Sequence, residues 1–190
     1  MNNGQTFLPP IEKPKGLMMK LVYFFTRKQL GKVITPVKVF TARMPIAFGL
    51  FGSKVYQLDK KLLLSKELIF LVRHRVASIN VCEFCMDIGR YNAIKELMNE
   101  EKFNVIGSYK SSSLYSDSEK AVLDYVTELV KSKKINPETF KTLLKHYSER
   151  EICEIVYLVA SEHLSNITNI GLNIHSDMFC DITKRTSNMR

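Results

Sequence analysis

Asn80-Val81-Cys82-Glu83-Phe84-Cys85-Met86-Asp87 places a Cys-x-x-Cys pair directly after the mainly apolar run Leu68 to Val81. Asn80 reads as a helix cap, with Glu83 three residues on folding back to complete a capping box. On that reading both cysteines fall in the first two turns of a helix. Unpaired backbone N–H groups and the positive end of the helix dipole favour a thiolate there, and a thiolate attacks a peroxide or a disulfide. A reactive dithiol is the functional reading of the motif. A zinc site is the first alternative. It needs about four ligands, and beyond the pair only Cys153, Cys180 and four histidines remain, none forming a second close pair. The second alternative is two buried cysteines facing a core, a common fate of this residue type, and the motif by itself leaves it open.

The rest of the chain sets the background for that pair. With 190 residues it is long enough for one substantial core, as one domain or two small halves packed together. Hydrophobic residues at 45% and charged residues at 25% are ordinary globular values, so disorder is not expected over most of the length. The cysteine spacing is too open for a secreted disulfide scaffold, and no apolar stretch near twenty residues is free of charge. The opening MNNGQTFLPPIEKPKG lacks the continuous apolar region of a signal peptide, so a cytoplasmic protein without a transmembrane segment is expected. The net charge of +9 is spread along the chain, and aromatics do not interleave with a basic patch. A specific nucleic-acid partner is therefore not expected.

Helical signals follow one another along the sequence. Residues 1–16 hold Pro9, Pro10 and Pro14 and read as an N-terminal arm. Residues 17–30 read as an amphipathic helix with Leu17, Met18, Leu21, Val22, Phe24 and Phe25 on its apolar side, for packing on the body or a partner subunit, or against lipid. Ala42, Ala47, Phe48, Leu50, Phe51, Val55 and Leu58 are expected to supply core. Ser65 caps a helix carrying Leu68, Ile69, Leu71, Val72, Val76 and Ile79, and the helix after the cysteines continues through Ile88, Tyr91 and Ile94. Gly89 weakens that second helix, which points to a close contact or to room at the dithiol. Ser116 with Glu119 and Ser148 with Glu151 form capping boxes, and Asn136-Pro137 opens a shorter helix between them. Nothing in these patterns demands a sheet. The expected architecture is all-α: an arm over 1–16, one helical domain over 17–181 and a polar tail over 182–190.

The stretch from Arg73 to Ile88 resembles the carboxymuconolactone decarboxylase-like superfamily, specifically its alkyl hydroperoxidase D-like branch. The likeness continues through Ser148 to Ile152, Glu162-His163 and Asn166 to Asn169. It implies an alkyl hydroperoxidase D-like helical domain, usually assembled into dimers, trimers or larger rings, with dithiol peroxidase activity. Carried over residue by residue, Cys85 takes the peroxide-reactive role and Cys82 the resolving role. Two positions depart from the pattern. Gly89 stands where active members carry a histidine four residues after the second cysteine, and Phe70 stands where they carry a glutamate twelve before the first. Glu67, Asp87 and His74 are the candidate substitutes for a proton relay.

The expected function is thus a thiol-dependent peroxidase or disulfide oxidoreductase of weak peroxidase activity. It would act on a hydroperoxide or disulfide substrate, be recycled by an unidentified thiol reductant, and use neither a metal nor another cofactor. The rival from a different class is a helical oligomeric stress or interaction protein with a structural or oxidation-sensitive dithiol. A homo-oligomer is expected under both.

Overall fold

The computed structural model describes residues 5–179, and every described element is helical. The eight α-helices are α1 (Leu17–Leu30), α2 (Phe51–Asp59), α3 (Lys66–Ile79), α4 (Glu83–Lys95), α5 (Glu100–Asn104), α6 (Asp117–Ser132), α7 (Pro137–Leu144) and α8 (Glu149–Gly171), with π-helical turns over Val37–Thr41 and Pro45–Leu50. Residues 1–4 and 180–190 lie outside the described part, and with them Cys180, Asp181 and the polar tail.

Helix α3 is the hub, because its apolar residues cover more than one face. Val72 and Val76 enter a core with Val122 and Val126 of α6 and Ile155 and Leu158 of α8. Leu71 turns instead to Phe103, Tyr109 and Leu123, and Ala77 meets the cluster around the cysteines. A helix apolar on so many sides must be central, and α4, α6 and α8 all pack on it. The starts of the surrounding helices follow the expected caps. Ser65 accepts from Leu68 N, Ser116 and Ser148 each complete a capping box with the glutamate three residues on, and Asn136 caps α7 with Pro137 in its first turn.

Two expectations need correction. Asn80 does not cap the cysteine helix. It is the C-cap of α3, with helical dihedrals, and Cys82 is the N-cap residue of α4. Val81 between them turns the chain at φ 57°, a conformation a β-branched residue adopts only under constraint. The expected core contribution of the 42–58 segment holds only at Ala42, which packs beside Met19, Tyr23 and Val33. No residue of Pro45–Leu50 or α2 is buried, and Leu50, Phe51 and Leu58 lie at the surface. On α1 the buried residues are Met19 and Tyr23, packed with Val33, while Leu17, Met18, Leu21, Phe24 and Phe25 are exposed. Apolar periodicity reports a sticky face and not what covers it.

The arm before α1 lies along the body. Phe7 N donates to Leu172 O at 3.1 Å and Ile11 N to Lys38 O at 3.0 Å, and the Tyr23 hydroxyl donates to Ile11 O at 2.6 Å. Among the described residues no helix is long and apolar enough to cross a membrane.

Candidate functional site

The turn between α3 and α4 fixes the cysteines. Cys82 N donates to Ala77 O at 3.0 Å, which closes the turn and sets Cys82 at the helix start with Cys85 one turn in. Their sulfurs lie at disulfide distance with the Cα atoms 5.3 Å apart, inside the span of roughly 4.4–6.8 Å that such a bond requires. The Cys82 side chain makes no capping hydrogen bond to the first N–H groups of α4, and the positive end of the helix dipole lies at the cysteine pair. Both cysteines are buried, among Val39, Ala77, Phe84 and Ile174. They differ in access: Cys85 lines a cavity of about 260 Å³ and Cys82 does not.

Helix α8 supplies the polar side of the site. Asn169 Nδ2 points at the sulfurs, 3.3 Å from Cys85 Sγ and 3.9 Å from Cys82 Sγ. One turn back, the fully buried Asn166 donates to Glu162 Oε1 at 2.6 Å and accepts from Asn80 Nδ2 at 3.0 Å. Asn80 Nδ2 also donates to His163 Nδ1 at 3.0 Å, and Arg73 donates to Glu162 Oε2 at 3.2 Å while holding Asp59 with its other terminal nitrogen. This network fastens the end of α3, and hence the cysteine turn, to α8. Burial raises the Glu162 pKa, with Arg73 and Asn166 acting in the opposite direction. Burial lowers that of His163, and the charge of Lys133 adds to the effect.

The three relay candidates occupy different places. Glu67 pairs with Lys102 at 2.9 Å, and Lys102 also holds Glu119 at 2.7 Å. Asp87 accepts from Ser176 Oγ at 2.8 Å and Phe179 N at 2.9 Å, tying the segment after α8 to α4, where His175 also meets Glu83 at 3.0 Å. Neither carboxylate lines the Cys85 cavity, whereas His74 does, together with Phe70 and Gly89. His74 is 4% exposed, with Nε2 3.1 Å from Phe103 O. Burial lowers its pKa to about 4, against a raising effect of the Phe103 hydrogen bond. Gly89 leaves room beside this ring: a Cβ at that position would sit 3.6 Å from His74 Nδ1.

The site residues that a reading of the motif misses are Asn80, Asn166 and Asn169. The signal for the last two in the sequence is the polar stripe Glu162, Asn166, Asn169, spaced i, i+4, i+7 along one face of α8. Such a stripe buried in a core must find partners, and here the partners are the cysteine turn and its sulfurs.

No protein-family model matches the chain. Among curated proteins, the Uncharacterized protein YnjA of Escherichia coli (strain K12) is 26% identical over 186 residues, covering 95% of this chain and 99% of YnjA. Among solved structures, the alkylhydroperoxidase AhpD core protein from Ralstonia eutropha JMP134 superposes with a TM-score of 0.74 at 18% identity, covering 94% of this chain and 96% of its own. The debrominase Bmp8 superposes with a TM-score of 0.78 at 20% identity, covering 96% and 97%. The chain thus has the all-helical fold of the AhpD-like structures it superposes on.

Proposed function

We propose that this protein is a dithiol oxidoreductase that reduces hydroperoxides slowly, with Cys85 as the attacking thiol and Cys82 as the resolving one. The observation that carries the reading is that Cys85 lines the cavity and Cys82 does not, while the Asn169 donor lies nearer the Cys85 sulfur than that of Cys82. In the reaction the Cys85 thiolate attacks the distal peroxide oxygen and the O–O bond breaks. The alcohol leaves with a proton, and Cys85 is left as a sulfenic acid. The Cys82 thiolate then displaces that oxygen, which leaves as water once protonated, and a Cys82–Cys85 disulfide forms. A separate dithiol reductant restores both thiols. A cytoplasmic setting, where such reductants are held reduced, belongs to the same reading.

Slow turnover follows from the site chemistry. General acid–base transfer is worth roughly 10²–10⁴ in rate, and neither Gly89 nor Phe70 can supply a proton. Consumption of hydrogen peroxide and an organic hydroperoxide in the presence of dithiothreitol, beside Cys85→Ser, tests the assignment. Loss of turnover in the variant is expected, and equal rates would reject it. Mass spectrometry of unreduced peptides should find a reversible Cys82–Cys85 bond that involves neither the exposed Cys153 nor Cys180. Because the debrominase Bmp8, whose C82A variant is solved in complex with 2,3,4-tribromopyrrole, shares the fold, that brominated pyrrole belongs in the same substrate panel.

A second reading, a helical oligomeric interaction protein with an oxidation-sensitive dithiol, draws on the exposed apolar residues of α1 and of the 44–58 segment. Under both readings that face is where a second copy of the chain would pack.

A further inference from the structure

A second cavity, of about 180 Å³, shares two of its lining residues, Phe40 and Ser165, with the cavity beside Cys85. Its walls are two helical stripes of the same spacing. Phe48, Phe51, Gly52 and Val55 run i, i+3, i+4, i+7 from the second π-helical turn into α2. Across from them, α8 presents Ser161, Leu164, Ser165 and Thr168 at the same intervals. Gly52 leaves the centre of its stripe without a side chain, and a Cβ there would meet no atom within 4 Å.

The chemistry of this lining is that of carbon. It holds no ionisable residue. Its three hydroxyls are turned back on α8: Ser161 donates to Leu158 O at 3.2 Å, Ser165 to Ser161 O at 3.4 Å and Thr168 to Leu164 O at 2.8 Å. The Phe40 and Phe48 rings lie 4.6 Å apart and carry the apolar wall from one cavity to the other. Water gains little in such a space, since an ordered molecule needs two to four polar partners.

Size and position narrow the occupant. Each cavity by itself lies below the ~300–1,000 Å³ common for small-molecule sites, and the two taken together lie within that range. The seam on the α8 side is Ser165, a small side chain one turn before Asn169, whose amide is 3.3 Å from Cys85 Sγ. A molecule whose reacting end is at that sulfur finds its apolar continuation past Ser165 and Phe40.

We propose that this second cavity takes the unbranched apolar tail of the substrate, so that the dithiol prefers long-chain hydroperoxides to short ones. The inference rests on the preceding reading in taking the reacting end as a hydroperoxide.

Protection of Cys85 from alkylation in the reduced full chain, read by peptide mass spectrometry with 1-butanol and 1-octanol as probes, tests this without any turnover. Each buried methylene is worth roughly fourfold in affinity, so 1-octanol should protect at concentrations at least about fiftyfold lower than 1-butanol. Gly52→Leu fills the far cavity from a helical position that gains from the loss of glycine, and Ser165→Leu fills the seam. Each variant, checked for folding by circular dichroism, should cut that ratio to about fivefold or less, because the added side chain displaces the methylenes from their site. Equal protection by the two alcohols, or a ratio that neither variant lowers, would overturn the inference, and the cavity would then be left to the face that a second copy of the chain covers. Length-dependent protection without consumption of 1-octyl hydroperoxide would uphold the tail site and reject the peroxidase reading. Hydroperoxide consumption without a length preference would do the reverse.

Discussion

Asn169 of α8 holds its amide nitrogen 3.3 Å from the Sγ of Cys85, closer than to the Sγ of Cys82 at 3.9 Å. The two residues stand 84 positions apart in the chain, and under the proposed mechanism Asn169 is the positioning residue for the Cys85 thiolate. A donor aimed at the charged form of an acid lowers its pKa, so removing it should raise the pKa of reduced Cys85. Hydrogen bonds to charged groups are worth roughly 1.5–3 kcal/mol, which sets the expected loss in Asn169→Ala at tenfold or more in hydroperoxide consumption at neutral pH. Alkylation rate against pH is the direct measurement. The inflection should move upward in the variant, and an unchanged inflection would leave Asn169 with a packing role alone.

The Arg73–Glu162 pair gives a prediction about stability. Arg73 is 19% and Glu162 12% exposed at the side chain, so the pair is mostly removed from water. Breaking such a pair by removing one partner costs roughly 3–5 kcal/mol, because the other is left buried and unpaired. Arg73→Met should therefore lose a few kcal/mol in urea denaturation at pH 8. The loss should shrink at low pH. Burial already raises the Glu162 pKa and the variant raises it further, so protonation in the folded state relieves the penalty. For a raised carboxyl pKa the relief is complete below the unfolded value near 4 and disappears as pH climbs through the folded one. A deficit independent of pH would mean that Asp59, the other partner of Arg73, dominates.

The sequence made the helices and most of their starts legible, because caps are local chemistry. Ser116 with Glu119 and Ser148 with Glu151 are read from spacing alone, and the structure closes both boxes. The same logic failed at Asn80, since a cap-forming asparagine also serves a long-range network, and its side chain is committed to Asn166 and His163. Nothing local announces those partners, more than eighty residues away. The cysteine pair was visible as a motif, whereas the third polar group at the sulfur, Asn169, required the fold to bring α8 across the start of α4. The segment after Pro45 shows the opposite error. Its apolar residues look like core, but among the described residues none of Pro45–Leu50 or α2 becomes buried.

That uncovered face leads to a prediction about assembly. Leu21 is 48% and Phe24 60% exposed on α1, with Leu50 and Phe51 also at the surface. An apolar surface of this kind on a chain with a complete core of its own is the usual mark of an interface. Sedimentation should show a homo-oligomer that Leu21→Asp with Phe24→Asp dissociates while leaving the helical circular dichroism unchanged. A wild-type chain that stays monomeric across a wide concentration range would count against the assembly and against the interaction reading with it.

His74 should govern the acid limb of stability. In the folded chain burial lowers its pKa to about 4 from an ordinary value near 6.5, so between these two pH values the unfolded chain takes up a proton that the folded chain refuses. The sign follows from that uptake. The contribution is fully present above pH 6.5 and is lost as pH falls toward 4, by an amount on the order of 3 kcal/mol at ~1.4 kcal/mol per pKa unit. His74→Phe keeps a ring in the same space, although it gives up the hydrogen bond to Phe103 O and so should cost stability at pH 7.5. What it cannot retain is the titration. Urea midpoints of wild type and His74→Phe should therefore converge as pH is lowered from 7.5 to 4.5, the wild type falling more steeply. Parallel curves over that range would show that the ring accepts a proton in the folded state, and burial would then not govern its titration.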